Sequence, residues 1–418
     1  MDDHRRTGGS LIGRRGAPLQ IVRALRSGHW PTLLGAWLHF EVSFMVWLLV
    51  GALSIAIASE LGLSATQTGL LVAVPLLSGA LLRIPVGISS DRMGAKRTGL
   101  AILLCELAGL GWAWLGASSY LHMLLTGLLL GVAGASFAVA LPLASRVYPP
   151  AHQGLAMGIA ASANSGTVLA MWFAPRIAEL TGWQGAFGVM AAPVLMTTLL
   201  FAGLVQSDRR LGRTGAVAWR PALVDVGRDP FMYWLCGLYA ITFGGFVGLS
   251  SSLPFFLHDH YAVGVVAAGS LTALCGLVGS LIRPLGGYVA DRVGGLTVLP
   301  TILGAITLLL AFVGSLPTLP WAVVLIVTAV AAMGFGNGVV FQVASGRFAK
   351  QMGIVSGVVG AAGGLGGFLL PLCLGWLKDL TGTFSFGFWL FAACAGWGLV
   401  GARYLKGQPR YAGDLPMV

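Results

Sequence analysis

The chain has 418 residues, 56% of them hydrophobic and 9% charged, and its mean hydropathy is +0.85. A soluble domain carries roughly 25% charged residues, so a surface solvated only by water is excluded and the bilayer must be part of the solvent. The net charge of +11 raises nucleic acid as a partner, but the basic residues are dispersed among the connecting segments, and no nucleic-acid partner is expected.

The first thirty residues are basic, broken by Gly and Pro, and lack an apolar stretch before Trp30. They read as a flexible cytoplasmic tail rather than a cleaved signal, with Arg5, Arg6, Arg14, Arg15, Arg23 and Arg26 suited to anionic lipid. Apolar runs long enough for a spanning helix, about 20 residues, then recur near 32–58, 68–89, 98–117, 121–145, 153–174 and 182–206. A polar segment, 207–228, carries Arg209, Arg210, Arg213 and Arg220 and reads as a cytoplasmic linker. Six more runs follow near 229–256, 263–289, 297–315, 319–345, 352–376 and 383–405. The expected architecture is an all-α polytopic membrane protein of twelve transmembrane helices. They form two pseudo-symmetric six-helix bundles, 31–206 and 229–406, before a second cytoplasmic tail, 407–418.

Placing the N-terminus in the cytoplasm puts nearly every Lys and Arg on that side, and only Arg176 and Lys378 on the other. The positive-inside rule therefore predicts both termini in the cytoplasm and the inner, cytoplasmic membrane as the location. The cysteines at 105, 236, 275, 373 and 394 fall in apolar runs without CxxC spacing and are expected to be small buried hydrophobes rather than metal ligands or disulfides. No metal and no cofactor is expected. The cluster His258, Asp259 and His260 is expected in a solvated exterior loop.

The stretch 81–94 (LLRIPVGISSDRMG) recurs as 281–294 (LIRPLGGYVADRVG). Arg83, Asp91, Arg92 and Gly94 thus fall opposite Arg283, Asp291, Arg292 and Gly294 at a constant offset, and Gly134 and Phe137 fall opposite Gly334 and Asn337. Duplicated halves of a transporter place their site near the midplane at the interface between them. A charge at the bilayer centre costs roughly 2.5–3.5 kcal/mol on insertion scales, so two arginines at equivalent depth demand a reason. Each lies eight residues from the D-R-x-G turn, about 12 Å of helix, too deep for comfortable snorkelling. The acids predicted within spans, Glu41 and Glu106, both belong to the first half and leave Arg283 without a carboxylate. Two guanidiniums facing a pore would instead anchor an anion, and their planar forks match a planar oxyanion.

Glycine-rich stretches at 154–166, 334–338 and 353–367 suit close helix packing. Packing leaves Asn164 and Asn337 unexplained, since an amide within a span needs a partner. Phe137, Tyr239 and Phe243 are candidates to wall the site above and below a flat ligand, and the last two are four apart on one helix face.

The loop D91-R-M-G-A-K-R97, ending in Arg97, resembles the signature loop of the major facilitator superfamily, and D291-R-V-G-G295 is a shortened copy. More specific stretches resemble the nitrate/nitrite porter family: HFEVSFMVW (39–47), GLLVAVPLLSGALLRIP (69–85), TFGGFVGLSSSLP (242–254), GNGVVFQ (336–342) and GVVGAAGGLGGF (357–368). The resemblance runs from about residue 35 to about 400. It implies an alternating-access carrier of nitrate or nitrite, with Arg83 and Arg283 matching the family's binding arginines and Phe137, Tyr239 and Phe243 its flanking aromatics. Asn164, Ser165, Asn337, Gly363, Gly364 and Gly366 join them as substrate-site candidates. Segment 161–166 has fewer glycines than 363–367, which leaves open whether Asn164 or Ser165 meets the ligand.

The family includes nitrate/proton symporters and nitrate/nitrite exchangers. Ionisable groups within a span are functional candidates, so Glu41, with His39 beside it, is the candidate for proton coupling; a polar packing contact is the alternative. The 39–47 stretch favours symport. Exchange, or carriage of another small monovalent anion such as an organic acid, stays open. The expected partners are the anion, a proton and the lipid bilayer, and a monomer is expected. No nucleophile–base set points to an enzyme.

Overall fold

The computed structural model describes residues 26–149, 152–206, 219–348 and 351–408. The tail arginines before Arg26, the linker residues Arg209, Arg210 and Arg213, and the second tail beyond 408 lie outside the described residues. The apolar runs fold as helices because a chain in lipid must satisfy its backbone polar groups internally. They are α1 (Trp30–Leu61), α2 (Ala65–Met93), α3 (Ala95–Gly116), α4 (Tyr120–Arg146), α5 (153–181), α6 (183–204), α7 (Pro230–Tyr261), α8 (Val265–Val293), α9 (Gly295–Gly314), α10 (Leu319–Phe348), α11 (Met352–Thr381) and α12 (Ser385–Gly407). Among the described residues there is no strand.

Three boundaries differ from expectation. The connection expected near 175–181 is helical, and α5 passes into α6 with a single break at Gly182, whose φ of 73° glycine tolerates. Residues 219–228 of the expected linker form a short helix. His258, Asp259 and His260 lie in the last turn of α7, which ends where Ala262 turns left-handed, rather than in a loop. They make ordinary polar contacts: His258 Nδ1 with the Val263 carbonyl at 2.8 Å, and Asp259 with Lys378 at 2.9 Å. The cysteine expectation holds only in part, since Cys275 is buried while Cys105 and Cys394 are exposed on the outer surface. That surface is apolar too, with Leu115, Leu180 and Trp397 each more than two-thirds exposed, as lipid requires.

The α2–α3 and α8–α9 junctions turn on Gly94 and Gly294, with φ of 103° and 90°, values an L side chain rarely adopts. Asp91 there pairs with Arg146 at the end of α4 at 2.7 Å. The position offset from Arg146 is Gly346, so Asp291 has no equivalent arginine, and Arg292 lies over the Tyr288 ring at 4.2 Å.

The first six helices meet the last six along three seams: α1 with α7, α2 with α11, and α5 with α8. At the end remote from Asp91 these seams are closed. A methyl group on Gly51 would lie 2.6 Å from the Ser251 carbonyl, and one on Gly269 would lie 2.5 Å from that of Met171. Asp379 of α11 accepts from the amides of Ala65 and Thr66 at the start of α2, at 3.2 and 2.8 Å, and Arg176 donates to Ser270 at 2.8 Å.

Candidate functional site

Arg83 is 2% exposed and Arg283 7%. Among the described residues neither is bonded to a carboxylate. Arg83 Nε donates to the Gly134 carbonyl at 2.9 Å, and its Nη1 donates to the Gly360 carbonyl of α11, across the seam between the halves. Its guanidinium carbon lies 5.3 Å from the Trp47 ring centre, 5.6 Å from Phe137 and 5.2 Å from Phe243. Gly134 belongs to a 3-10 segment, Gly131–Ala135, inside α4; such tightening re-aims carbonyls away from the helical ladder. The offset Gly334 sits in unbroken helix, and Arg283 has no such tether. Arg283 Nη2 donates to the Tyr239 hydroxyl at 3.4 Å, while its buried Nη1 has no partner among the described residues. A buried cationic donor without an acceptor is costly and suits a site that receives an anion.

Tyr239 immediately precedes a π-helical turn, Ala240–Gly244, and Phe243 lies within it. Their rings stack on each other at 4.9 Å and 1°. A flat ion between two rings needs two contacts of roughly 3.5 Å, so the pair forms one continuous wall rather than a sandwich around a ligand. Phe243 covers Arg83 and Tyr239 meets Arg283. Phe341 completes the enclosure, 5.7 Å from Arg283, 5.1 Å from Tyr239 and 5.9 Å from Phe137. Sequence reasoning missed Phe341, Trp47 and Phe40, the last with its ring 5.8 Å from that of Phe137. The spacing of Phe40, Phe44 and Trp47, an i, i+4, i+7 face, was the available signal.

Among the described residues Asn164 is buried with no partner for either amide atom, and Asn337 is buried with none for its Oδ1. The turn carrying Asn164 packs on α8, the helix of Arg283. Ser165 is not arranged as a ligand donor: its hydroxyl lies 2.7 Å from Glu41 Oε2 and 3.0 Å from the Ser162 carbonyl. Gly363 and Gly364 are packing positions. A methyl group on them would lie 2.6 Å from the Tyr239 ring and 2.6 Å from the Ala80 methyl. Gly366 likewise abuts the backbone of Ala240.

A cavity of about 200 Å³ leads from Arg83 past Phe137 and Gly357 to the Asp91–Arg146 pair. Water occupies roughly 30 Å³ in the liquid, so the passage has room for a small oxyanion with some of its hydration. Glu41 faces α5, whereas His39 faces α3 and bonds the Gly99 carbonyl at 3.1 Å. Glu106 of α3 is fully buried beside Ser43, with neither carboxyl oxygen in a well-formed hydrogen bond among the described residues.

The model of the Major Facilitator Superfamily matches residues 36–371. The chain is 36% identical over 371 residues to the probable nitrate/nitrite transporter NarK2 of Mycobacterium tuberculosis, covering 87% of this chain and 93% of that one. It is 32% identical to the nitrite extrusion protein of Bacillus subtilis (84% and 88% covered) and 30% identical to the probable nitrate/nitrite antiporter NarK1 of Thermus thermophilus (82% and 84%). Among solved structures it resembles a bacterial homolog of the human lysosomal transporter Spinster, with a TM-score of 0.65 at 19% identity, covering 91% of this chain and 96% of that one. The chain is thus a multi-pass membrane transport protein, not an enzyme, and it belongs to the nitrate/nitrite porter family of the major facilitator superfamily.

Proposed function

We propose that this protein carries nitrate, and nitrite as a second substrate, across the cytoplasmic membrane by alternating access, with nitrate uptake coupled to protons. The carrying observation is the pair of buried arginines at equivalent places in the two halves, tied to no carboxylate among the described residues, one with an Nη1 that has no partner among them. Permanently charged forks that deep are costly unless an anion completes them. The halves 31–206 and 229–406 rock about this site. The cavity at Arg83 opens on the side of the Asp91 loop, which the distribution of Lys and Arg assigns to the cytoplasm. Both termini lie on that side, and the carrier acts as a monomer.

Glu41 supports the proton-coupled reading. It is the acid of α1 that faces the seam-forming helix α5, it is nearly buried, and no cation pairs with it among the described residues. Exchange of nitrate for nitrite is the second reading, favoured by the relative named an antiporter. Proteoliposomes separate the two. Nitrate uptake driven by an inward proton gradient, with no internal anion, is the expected result. Uptake that requires internal nitrite and ignores the gradient would replace symport by exchange. Absence of nitrate uptake under both conditions would remove nitrate as the substrate.

A further inference from the structure

Ser165 has one hydroxyl hydrogen and two acceptors within bonding distance, Glu41 Oε2 at 2.7 Å and the Ser162 carbonyl at 3.0 Å. A serine hydroxyl donates once and accepts through its lone pairs. Both contacts are full hydrogen bonds only when Glu41 carries a proton. The carboxylic acid then donates to Ser165 Oγ, and the Ser165 hydrogen points to the Ser162 carbonyl. When Glu41 is ionised, the Ser165 hydrogen turns to the carboxylate and the bond to Ser162 is lost. Ser165 keeps its own proton in both states.

That lost bond lies in a 3-10 segment, Ser162–Ser165, which interrupts α5. Short 3-10 stretches inside long helices often mark hinges. The segment carries Asn164 and rests on α8, the helix of Arg283. Its other end is held to α1, since Trp37 Nε1 donates to Ser162 Oγ at 3.2 Å and Ser162 donates to the Ile159 carbonyl at 2.7 Å. Gly166, immediately after, packs against the backbone of α1 at Glu41 and presents its amide to the carboxyl. Other ionisable groups on the packed elements are engaged elsewhere. His39 bonds Gly99, Glu106 sits beside Ser43, Arg83 is tied to Gly134 and Gly360, Arg146 to Asp91, and Arg283 to Tyr239.

We propose that Ser165 is a positioning residue that reads the protonation of Glu41 and transmits it to the 3-10 hinge of α5, and so to the anion site at Arg283. This inference rests on the proton-coupled reading above, and the experiment separates the two.

Purified wild-type protein and the Ser165→Ala, Ser165→Thr, Ser165→Cys and Glu41→Gln variants are reconstituted in proteoliposomes. Two fluxes are measured for each: nitrate accumulation driven by a proton gradient, and exchange of internal nitrite for external nitrate without one. For Ser165→Ala the expected result is a loss of driven accumulation of about tenfold to a hundredfold, the scale of one hydrogen bond to a charged group, with exchange persisting. Ser165→Thr restores accumulation; Ser165→Cys, a weak donor, is intermediate and stands in if the alanine variant does not fold. Glu41→Gln imitates the protonated arrangement, because its amide donates to Ser165; it keeps exchange and loses driven accumulation. If Ser165→Ala accumulates nitrate like wild type while Glu41→Gln does not, Ser165 is not the reader and the Glu41 reading survives. If Glu41→Gln itself accumulates normally, the coupling reading falls and this inference with it. If Ser165→Ala loses both fluxes and threonine restores neither, Ser165 is structural and the inference is overturned.

Discussion

Arg83 and Arg283 hold equivalent places in the duplicated halves, yet they have different obligations. Arg83 already donates to two carbonyls and is stacked among three rings, whereas among the described residues Arg283 bonds only the Tyr239 hydroxyl. An anion gains the free donor of Arg283 outright but must draw Arg83 from Gly360. Lysine keeps the charge and loses the planar fork. Arg283→Lys is expected to raise the half-saturating nitrate concentration roughly tenfold to a hundredfold, the scale of one hydrogen bond to a charged group at about 1.5–3 kcal/mol. Arg83→Lys is expected to lower the rate more than the affinity. Normal transport by both variants in a counterflow assay would refute the two-arginine site. Phe341→Leu removes the ring facing Arg283, and a cation–π loss of about 0.5–2 kcal/mol predicts a weakening of nitrate affinity of roughly twofold to thirtyfold, readable in the same assay. The repeat at constant offset made both arginines legible in the sequence. Their unequal bonding was not, because it depends on a 3-10 turn in α4 that has no counterpart in α10.

At the scale of elements, α11 is the helix on which the site closes. Gly360 accepts from Arg83, Gly363 lies under the Tyr239–Phe243 wall, and Gly364 meets Ala80 of α2. The glycine-rich pattern announced a tightly packed helix, and 363, 364 and 366 are positions of that packing. Overpacking a close helix contact costs about 1–3 kcal/mol. Gly364→Val is therefore expected to hold α2 and α11 apart and cut uptake at least roughly tenfold, while the protein still reaches the membrane. Uptake normalised to membrane abundance checks this, and wild-type uptake would mean the α2–α11 seam tolerates an added side chain. The α5–α6 break at Gly182 escaped sequence reading because one residue with φ of 73° replaces a whole loop.

For the whole molecule, the ends of the bundle differ. One end has a cavity leading to Arg83; the other is tied across the halves by Asp379 on the first amides of α2 and by Arg176 on Ser270. A carboxylate on helical N–H groups benefits from the helix dipole as well as from the hydrogen bonds. Asp379→Ala is expected to loosen that end. A cysteine placed at Ser251, which is 2% exposed, should then react severalfold faster with a membrane-impermeant thiol reagent, in a background where the native cysteines are replaced. An unchanged rate would mean that apolar packing alone closes that end.

Composition, the spacing of apolar runs and the placement of Lys and Arg were enough to determine a twelve-helix membrane protein with its two buried arginines. Each of those features follows from the free energy of transfer into lipid, which acts on each segment separately. The tertiary structure alone decided which polar atoms are left over once the helices pack. It joined Ser165 to Glu41 across 124 positions and Arg83 to Gly360 across 277, and it set Phe341 against Arg283. Hydrogen bonds and ring contacts have ranges of a few ångströms, so they depend on how helices far apart in the chain are registered against one another, and no local pattern in the sequence encodes that register.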